Sequence, residues 1–249
     1  MTREIAATDA YQRSVSASMA EVRPEGVVLD RTVFYPRGGG QPGDTGRLRW
    51  DEGELMVVDT VRREGVPIHV VEGAAPPVGT QLVAEIDWAR RHLLMRTHTA
   101  LHTLSGIIWR DYQAKVTGGN MEPGQARMDF ELEGISGEFG REVEAKLNEA
   151  LAADHPVEIR FLSRAEALAD LELIRTKVNL IPEGVDPIRV VDIVGIDRQA
   201  DGGTHVRSTA EVGRVRVIKT ESKGKANKRM RIGLADVAGA ALDEETTSP

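Results

Sequence analysis

The chain has 249 residues, 41% hydrophobic and 29% charged, the proportions of a globular protein that can bury a core; this excludes wholesale disorder. With aromatics at only 4%, aliphatic side chains must fill that core, and at about 100–200 residues per domain the length suits two modest domains. The lack of cysteine excludes disulfides and leaves any metal site to His, Asp or Glu, and a net charge of -7 argues against general nucleic-acid coating and DNA binding while allowing a local basic patch.

Met1 to Ala10 has neither the basic nor the apolar region of a secretion signal, and no apolar run reaches the roughly 18–20 residues of a membrane span, so a cytoplasmic location with no membrane partner is expected. From about Val27 to Ile86 the apolar runs are short, as in Val27-Val28-Leu29 and Leu55-Met56-Val57-Val58, and Gly and Pro interrupt them. That is the pattern of a small β-barrel, with Gln81 to Ile86 as its last strand. After Asp87, apolar residues at Leu93, Leu94, Leu101, Leu104, Ile107 and Ile108 take helical spacing, predicting a helix from Ala89 to Tyr112 and a domain boundary near Asp87, hence domains 1–87 and 88–249.

A second helix is predicted from Ser136 to Ala153, and a third begins at Ser163, which with Glu166 forms a capping-box signal. Strands are expected at Val157 to Leu162, Ile188 to Asp197, Arg214 to Thr220 and Met230 to Leu234, the last two forming a hairpin with one wet, basic face. The tail Asp243 to Pro249 has the composition of a disordered terminus. The whole is α+β: an N-terminal barrel followed by a domain whose mainly antiparallel sheet packs against helices.

His98 and His102 lie four apart on the first helix, so both imidazoles leave the same face one turn apart and can grip one ion, at an edge where core meets solvent. An isolated pair of this kind is equally explained as two partly buried histidines, and Thr99 stands where a metalloprotease helix carries its Glu base. Asp201-Gly202-Gly203-Thr204-His205 supplies a second pair at the same spacing, with two glycines that permit a tight turn and close approach. Together His98, His102, Asp201 and His205 make a three-nitrogen, one-oxygen set suited to zinc. Gly38-Gly39-Gly40 bares backbone N–H groups, and Gln41 adds an amide that both donates and accepts.

His98-Thr99-Ala100-Leu101-His102 followed by Asp201-Gly202-Gly203-Thr204-His205-Val206 resembles the zinc-binding pattern of the alanyl-tRNA synthetase editing domain and of its free-standing relatives, the AlaX editing proteins. Leu29 to Pro42 is similar to their glycine-rich motif, and Lys223 to Ile232 to their basic terminal hairpin. The length fits the medium form of that family. Two positions depart: Asp201 stands where the family usually has Cys, and Arg37 where it often has an acidic residue. Aspartate oxygen binds zinc at about the distance of histidine nitrogen, but without the soft thiolate selection against manganese, iron or cobalt weakens.

The resemblance implies a hydrolase that deacylates Ser-tRNA(Ala), with Gly-tRNA(Ala) a further substrate, in trans. It implies that the Thr32 hydroxyl recognises the misattached serine, and that Gly39, Gly40 and Gln41 orient the aminoacyl group. It also implies a Zn2+ cofactor and tRNA contacts at Lys219, Lys223, Lys225, Lys228, Arg229 and Arg231. Two other readings stay open: Ser-tRNA(Thr) as substrate, because the threonyl-tRNA synthetase editing domain carries a related histidine pattern, and a non-catalytic tRNA- or metal-binding module.

Overall fold

Alternation of side chains along Gln81–Ile86 turns Leu82, Ala84 and Ile86 inward and leaves Gln81 and Val83 in solvent, the period of a half-buried strand. In the computed structural model, which describes residues 2–134, 136–173, 176, 183–224 and 226–237, this strand closes a six-stranded barrel. The barrel strands are β1 (Ser14–Arg23), β2 (Gly26–Leu29), β3 (Gly46–Trp50), β4 (Gly53–Arg63), β5 (Val66–Glu72) and β6 (Gln81–Ile86). They run in the order β1-β2-β5-β4-β3-β6, and β6 pairs with both β1 and β3. Ala17, Met19, Leu29, Leu48, Leu55, Val57, Leu82 and Ala84 fill the interior with Val33 and Phe34, the aliphatic core that the composition requires.

The barrel begins earlier than the apolar runs indicate. Ser14–Arg23 is its first strand, and only Ala17 and Met19 of it are buried, so serines and small residues mask its alternation.

The chain divides into two compact units, Met1–His98 with Asp201–Val206 and Thr99–Ala200 with Arg207–Pro249. Within the first, the irregular stretch from Val33 to Thr45 carries the glycine-rich motif and is tied down by a fully buried ion pair. Arg91 donates to both carboxylate oxygens of Asp44, to the Val33 carbonyl at 2.7 Å and to the Ala10 carbonyl at 2.9 Å. Asp44 in turn accepts the Tyr35 N–H at 2.6 Å. These extra hydrogen bonds repay the desolvation of two charges, so truncating either partner costs about 3–5 kcal/mol.

Helix α1 (Trp88–Tyr112) starts one residue before the predicted helix, where the Asp87 carboxylate accepts the Arg90 N–H at 3.0 Å. In the second unit a four-stranded antiparallel sheet joins β7 (Val116–Glu122), β8 (Gln125–Phe130), β12 (Val215–Ser222) and β13 (Lys228–Leu234) in the order β12-β13-β8-β7. Helix α2 (Gly137–Ala152) is N-capped by the Ser136 hydroxyl and lies against edge strand β12. Asn148 bonds the N–H and carbonyl of Val215 at 2.9 and 2.8 Å, and Glu144 accepts the Val217 N–H at 2.7 Å. The open edge thus finds partners in side chains.

A three-stranded antiparallel sheet holds β9 (Val157–Leu162), β10 (Ile188–Ile193) and β11 (Asp197–Ala200), next to helix α3 (Arg164–Ala169), whose Ser163–Glu166 capping box is present.

One strand expectation needs correction. The stretch Ile188 to Asp197 is two elements: Gly195, at φ 80°, turns the chain so that Asp197 begins a returning strand opposite Ile193. The hairpin of β7 and β8 was not foreseen, because Gly118, Gly119 and Asn120 break its apolar alternation. The tail Asp243 to Pro249 lies outside the described residues.

Candidate metal centre

Every residue from 97 to 108 of α1 is buried, so the helix is enclosed on all sides over three turns. His98 and His102, expected at the edge of the core, are 4% and 6% exposed. The reason is visible in their polar neighbours, which satisfy themselves within the helix: the Thr97 hydroxyl donates to Leu93 O at 2.7 Å and that of Thr103 to Thr99 O at 2.9 Å. A fully buried helix therefore looks only moderately apolar in sequence.

His98, Asp201 and His205 all belong to the first unit. The Asp201 carboxylate accepts the Gly203 N–H at 2.6 Å, folding the loop so that Oδ2 meets His205 Nε2 at 3.2 Å while Oδ1 lies 3.7 Å from His98 Nε2. The rings of His98 and His205 stack with centroids 4.4 Å apart. Gly203 is obligatory: a Cβ there would fall on the His98 imidazole and come within 2.9 Å of Gln41 Oε1. His102 follows one turn later on the same continuous helix. One ligand atom from each of His98, His102, Asp201 and His205 lies within 4.8 Å of the others.

The outer nitrogens of the helix pair fit a metal role. His98 Nδ1 faces Gln41 Oε1 at 2.9 Å and His102 Nδ1 faces Asp197 Oδ2 at 3.1 Å. An acceptor opposite Nδ1 holds the proton there and leaves the Nε2 lone pair for a cation. Asp197 also accepts the Gln199 amide at 2.6 Å. Sequence reading missed Asp197 because it took that residue for a strand end rather than the start of the next strand.

The glycine-rich motif forms a tight turn. Gly38 N–H bonds Gln41 O at 3.1 Å and Gln41 N–H bonds Gly38 O at 2.9 Å. Between them Gly39 and Gly40 have φ of 58° and 82°, a left-handed pair that residues with a Cβ adopt only under strain. A Cβ on Gly39 would lie 3.7 Å from Asp201 Oδ1, so this turn borders the Asp201 carboxylate. Arg37, beside it, pairs with Asp59.

Thr32 is fully buried. Its Oγ1 lies 2.7 Å from His69 Nε2 and accepts the Phe34 N–H at 3.0 Å. His69 Nδ1 lies 3.1 Å from the Val27 carbonyl, which can only accept, so Nδ1 carries the ring proton and Nε2 receives the Thr32 O–H. Burial pushes His69 down to about 4, keeping it neutral. The Thr32 oxygen keeps one lone pair uncommitted and no proton to give. His69 was not singled out in sequence, since nothing local marks a strand histidine as the partner of a residue 37 positions away.

On the four-stranded sheet, Lys219, Lys223 and Arg231 surround Glu221 at 3.4, 3.9 and 3.0 Å. Arg229 grips both oxygens of Asp129 at 2.7 and 2.8 Å. These guanidinium contacts hold the carboxyls of Asp129 and Glu221 below the usual range. Lys228 is buried, its Nζ donating to Ser222 Oγ at 3.0 Å and Gly224 O at 2.8 Å. Lys225 lies outside the described residues. Strand register sets Arg231 opposite both Lys219 and Arg127, extending the basic row to a residue that the motif did not include.

The barrel and the four residues able to hold a metal ion occur in a chain that is similar to tRNA synthetases and tRNA editing proteins. Residues 2–90 match the family described as tRNA synthetases class II (A), and residues 188–231 match the threonyl and alanyl tRNA synthetase second additional domain. The chain is 36% identical over 243 residues to the alanyl-tRNA editing protein AlaX-M of Methanosarcina barkeri, covering 95% of this chain and 100% of that protein. It is also 36% identical over 233 residues to AlaX-M of Saccharolobus solfataricus, covering 92% and 98%. With alanine–tRNA ligase of Pyrobaculum aerophilum it shares 39% identity over 233 residues, 88% of this chain and 25% of the ligase. The chain belongs to the AlaX-M family of alanyl-tRNA editing proteins.

Proposed function

We propose that this chain, an editing hydrolase of the mischarged tRNA(Ala) system, removes serine from Ser-tRNA(Ala) in trans, with Gly-tRNA(Ala) as a further substrate. The observation that carries the reading is the convergence of His98, His102, Asp201 and His205 beside the Gly39–Gly40 turn in a chain of this family. An alanine-activating site cannot strongly reject serine, which merely adds a hydroxyl, because such discrimination is on the order of 10–200-fold. A second, hydrolytic site must clear the errors. Water adds to the aminoacyl carbonyl carbon, the ester C–O bond breaks, and the tRNA leaves with a free ribose hydroxyl.

Thr32 reads the seryl hydroxyl as an acceptor, because its own proton is given to His69. Alanine offers no donor to that lone pair, and glycine enters by size alone. The Gly39 and Gly40 N–H groups orient the aminoacyl group. The four ligands suit Zn2+, or a harder divalent ion given the carboxylate of Asp201. When bound, the ion would supply a positive centre for the ester carbonyl or the terminal ribose. Lys219, Lys223 and Arg231 meet tRNA phosphates, while Lys228 is buried and Arg229 is held by Asp129, so these two support the strand rather than reach the tRNA. No helix among the described residues is long and apolar enough to cross a membrane, and we place the protein in the cytoplasm, with its substrate.

A second reading, Ser-tRNA(Thr), draws on the family description that joins threonyl and alanyl domains. Deacylation assays with serine on each tRNA decide between them: release from tRNA(Ala) with tRNA(Thr) spared supports the proposal, and the reverse preference overturns it.

A further inference from the structure

We infer that Gln41, the residue closing the glycine-rich turn, is a positioning residue of the metal centre: it orients His98 and anchors the Asp201–His205 loop, and its oxygen is spent on these contacts rather than offered to the aminoacyl group. The inference rests on the metal reading above and reassigns one residue within it.

Gln41 is 2% exposed, and both ends of its amide are engaged. Oε1 accepts the Thr204 N–H at 3.0 Å and faces His98 Nδ1 at 2.9 Å, while Nε2 donates to Thr204 Oγ1 at 2.9 Å. The amide has only this orientation. A backbone N–H cannot accept, so the atom opposite Thr204 N–H must be the oxygen, and turning the amide over would set donor against donor. That choice fixes the next. With an acceptor opposite, His98 carries its proton on Nδ1 and directs the Nε2 lone pair toward Asp201, whose Oδ1 is 3.7 Å away.

One side chain thus settles the tautomer of one ligand and the seat of the loop that carries two others. Gly203 supports the same conclusion, since a Cβ there would strike both the His98 ring and Gln41 Oε1. The backbone has been left bare where the loop meets this pair. A seryl hydroxyl or an aminoacyl ammonium would need a free acceptor here. The Gln41 nitrogen has one further proton to give, but its oxygen already serves two donors.

The test is zinc affinity of the full chain, measured by competition with a chromophoric chelator, for wild type, Gln41→Leu and Gln41→Glu. Glutamate keeps an acceptor opposite both N–H groups, and the Thr204 hydroxyl can rotate to donate to it. Outer partners of this kind typically contribute 10–100-fold to metal affinity. Gln41→Leu is expected to bind zinc about 10–100-fold more weakly, and Gln41→Glu to bind as tightly as wild type or tighter. Deacylation by Gln41→Leu should recover as zinc is raised. Nitrogen-15 NMR of the imidazoles adds a signature: the protected His98 Nδ1–H of the wild type is lost in Gln41→Leu and kept in Gln41→Glu.

Wild-type zinc affinity in Gln41→Leu with deacylation lost would overturn the inference and return Gln41 to the substrate. Equal weakening in both variants would also overturn it, by making Gln41 a folding residue only. If the wild-type chain binds no zinc, the metal reading fails first, a result distinct from either.

Discussion

Replacing Thr32 by valine removes one hydroxyl from an otherwise unchanged shape and should produce two effects of different size. The hydroxyl donates to His69 Nε2 and accepts from Phe34 N–H, and all three groups are buried. Leaving each partner unsatisfied costs about 1–3 kcal/mol, so Thr32→Val should lose about 2–6 kcal/mol of stability. The effect on selectivity is smaller. Thr32 offers serine one remaining lone pair, a neutral hydrogen bond worth about 0.5–1.5 kcal/mol, so preference for Ser-tRNA(Ala) over Ala-tRNA(Ala) should fall roughly 2- to 13-fold. Thr32→Ser keeps the hydroxyl and should retain that preference. The assay is kcat/KM on both charged tRNAs, at a temperature where urea titration shows the variant folded. An unchanged ratio in folded Thr32→Val would refute recognition through this hydroxyl. A collapse to the scale of about 10⁴–10⁵, seen where a buried group is left wholly unpaired, would contradict the acceptor-only geometry.

Three further outcomes follow from separate parts of the fold. His69, held at about 4 against an ordinary 6.5, refuses a proton that the unfolded chain accepts. Its contribution is therefore complete above about pH 6.5 and is lost as pH falls toward 4, by about 3 kcal/mol. Urea titrations at several pH values should show that slope flattened in His69→Gln, and parallel curves would contradict it. Arg91→Met should lower stability by about 3–5 kcal/mol by stranding Asp44, with much of the loss regained in the double variant Arg91→Met/Asp44→Leu; simple addition of the two losses would sink the pairing argument. Reversing Lys219, Lys223 and Arg231 to Glu should flatten the salt dependence of tRNA binding by a log–log slope of about 2–3, and an unchanged slope would place the phosphate contacts elsewhere.

Where local pattern and tertiary environment agree, the elements were legible. Helix α1 combined helical spacing with no proline, Ser163 and Glu166 formed the box that their spacing announces, and β9 spans the predicted residues. Where apolar residues are sparse, as in Ser14–Arg23 with only Ala17 and Met19 buried and Val116–Glu122 with only Val116 and Met121, hydrophobic periodicity had little to register. The four metal-capable residues could be named because two chemically specific pairs repeat a spacing. Their supporting residues could not. Thr204 meets Gln41 across 163 positions and Asp197 meets His102 across 95, and no short-range signal reports such pairings. Basic residues in the hairpin stood out by type, but burial of Lys228 and the grip of Arg229 on Asp129 depend on strand register, which composition does not disclose.

Metal dependence of deacylation tests the central claim most directly. Protein stripped by chelation should fail to release serine from Ser-tRNA(Ala), and one equivalent of zinc should restore the rate in the wild type but not in His98→Ala. Full activity of the stripped protein, or restoration in His98→Ala equal to wild type, would contradict it.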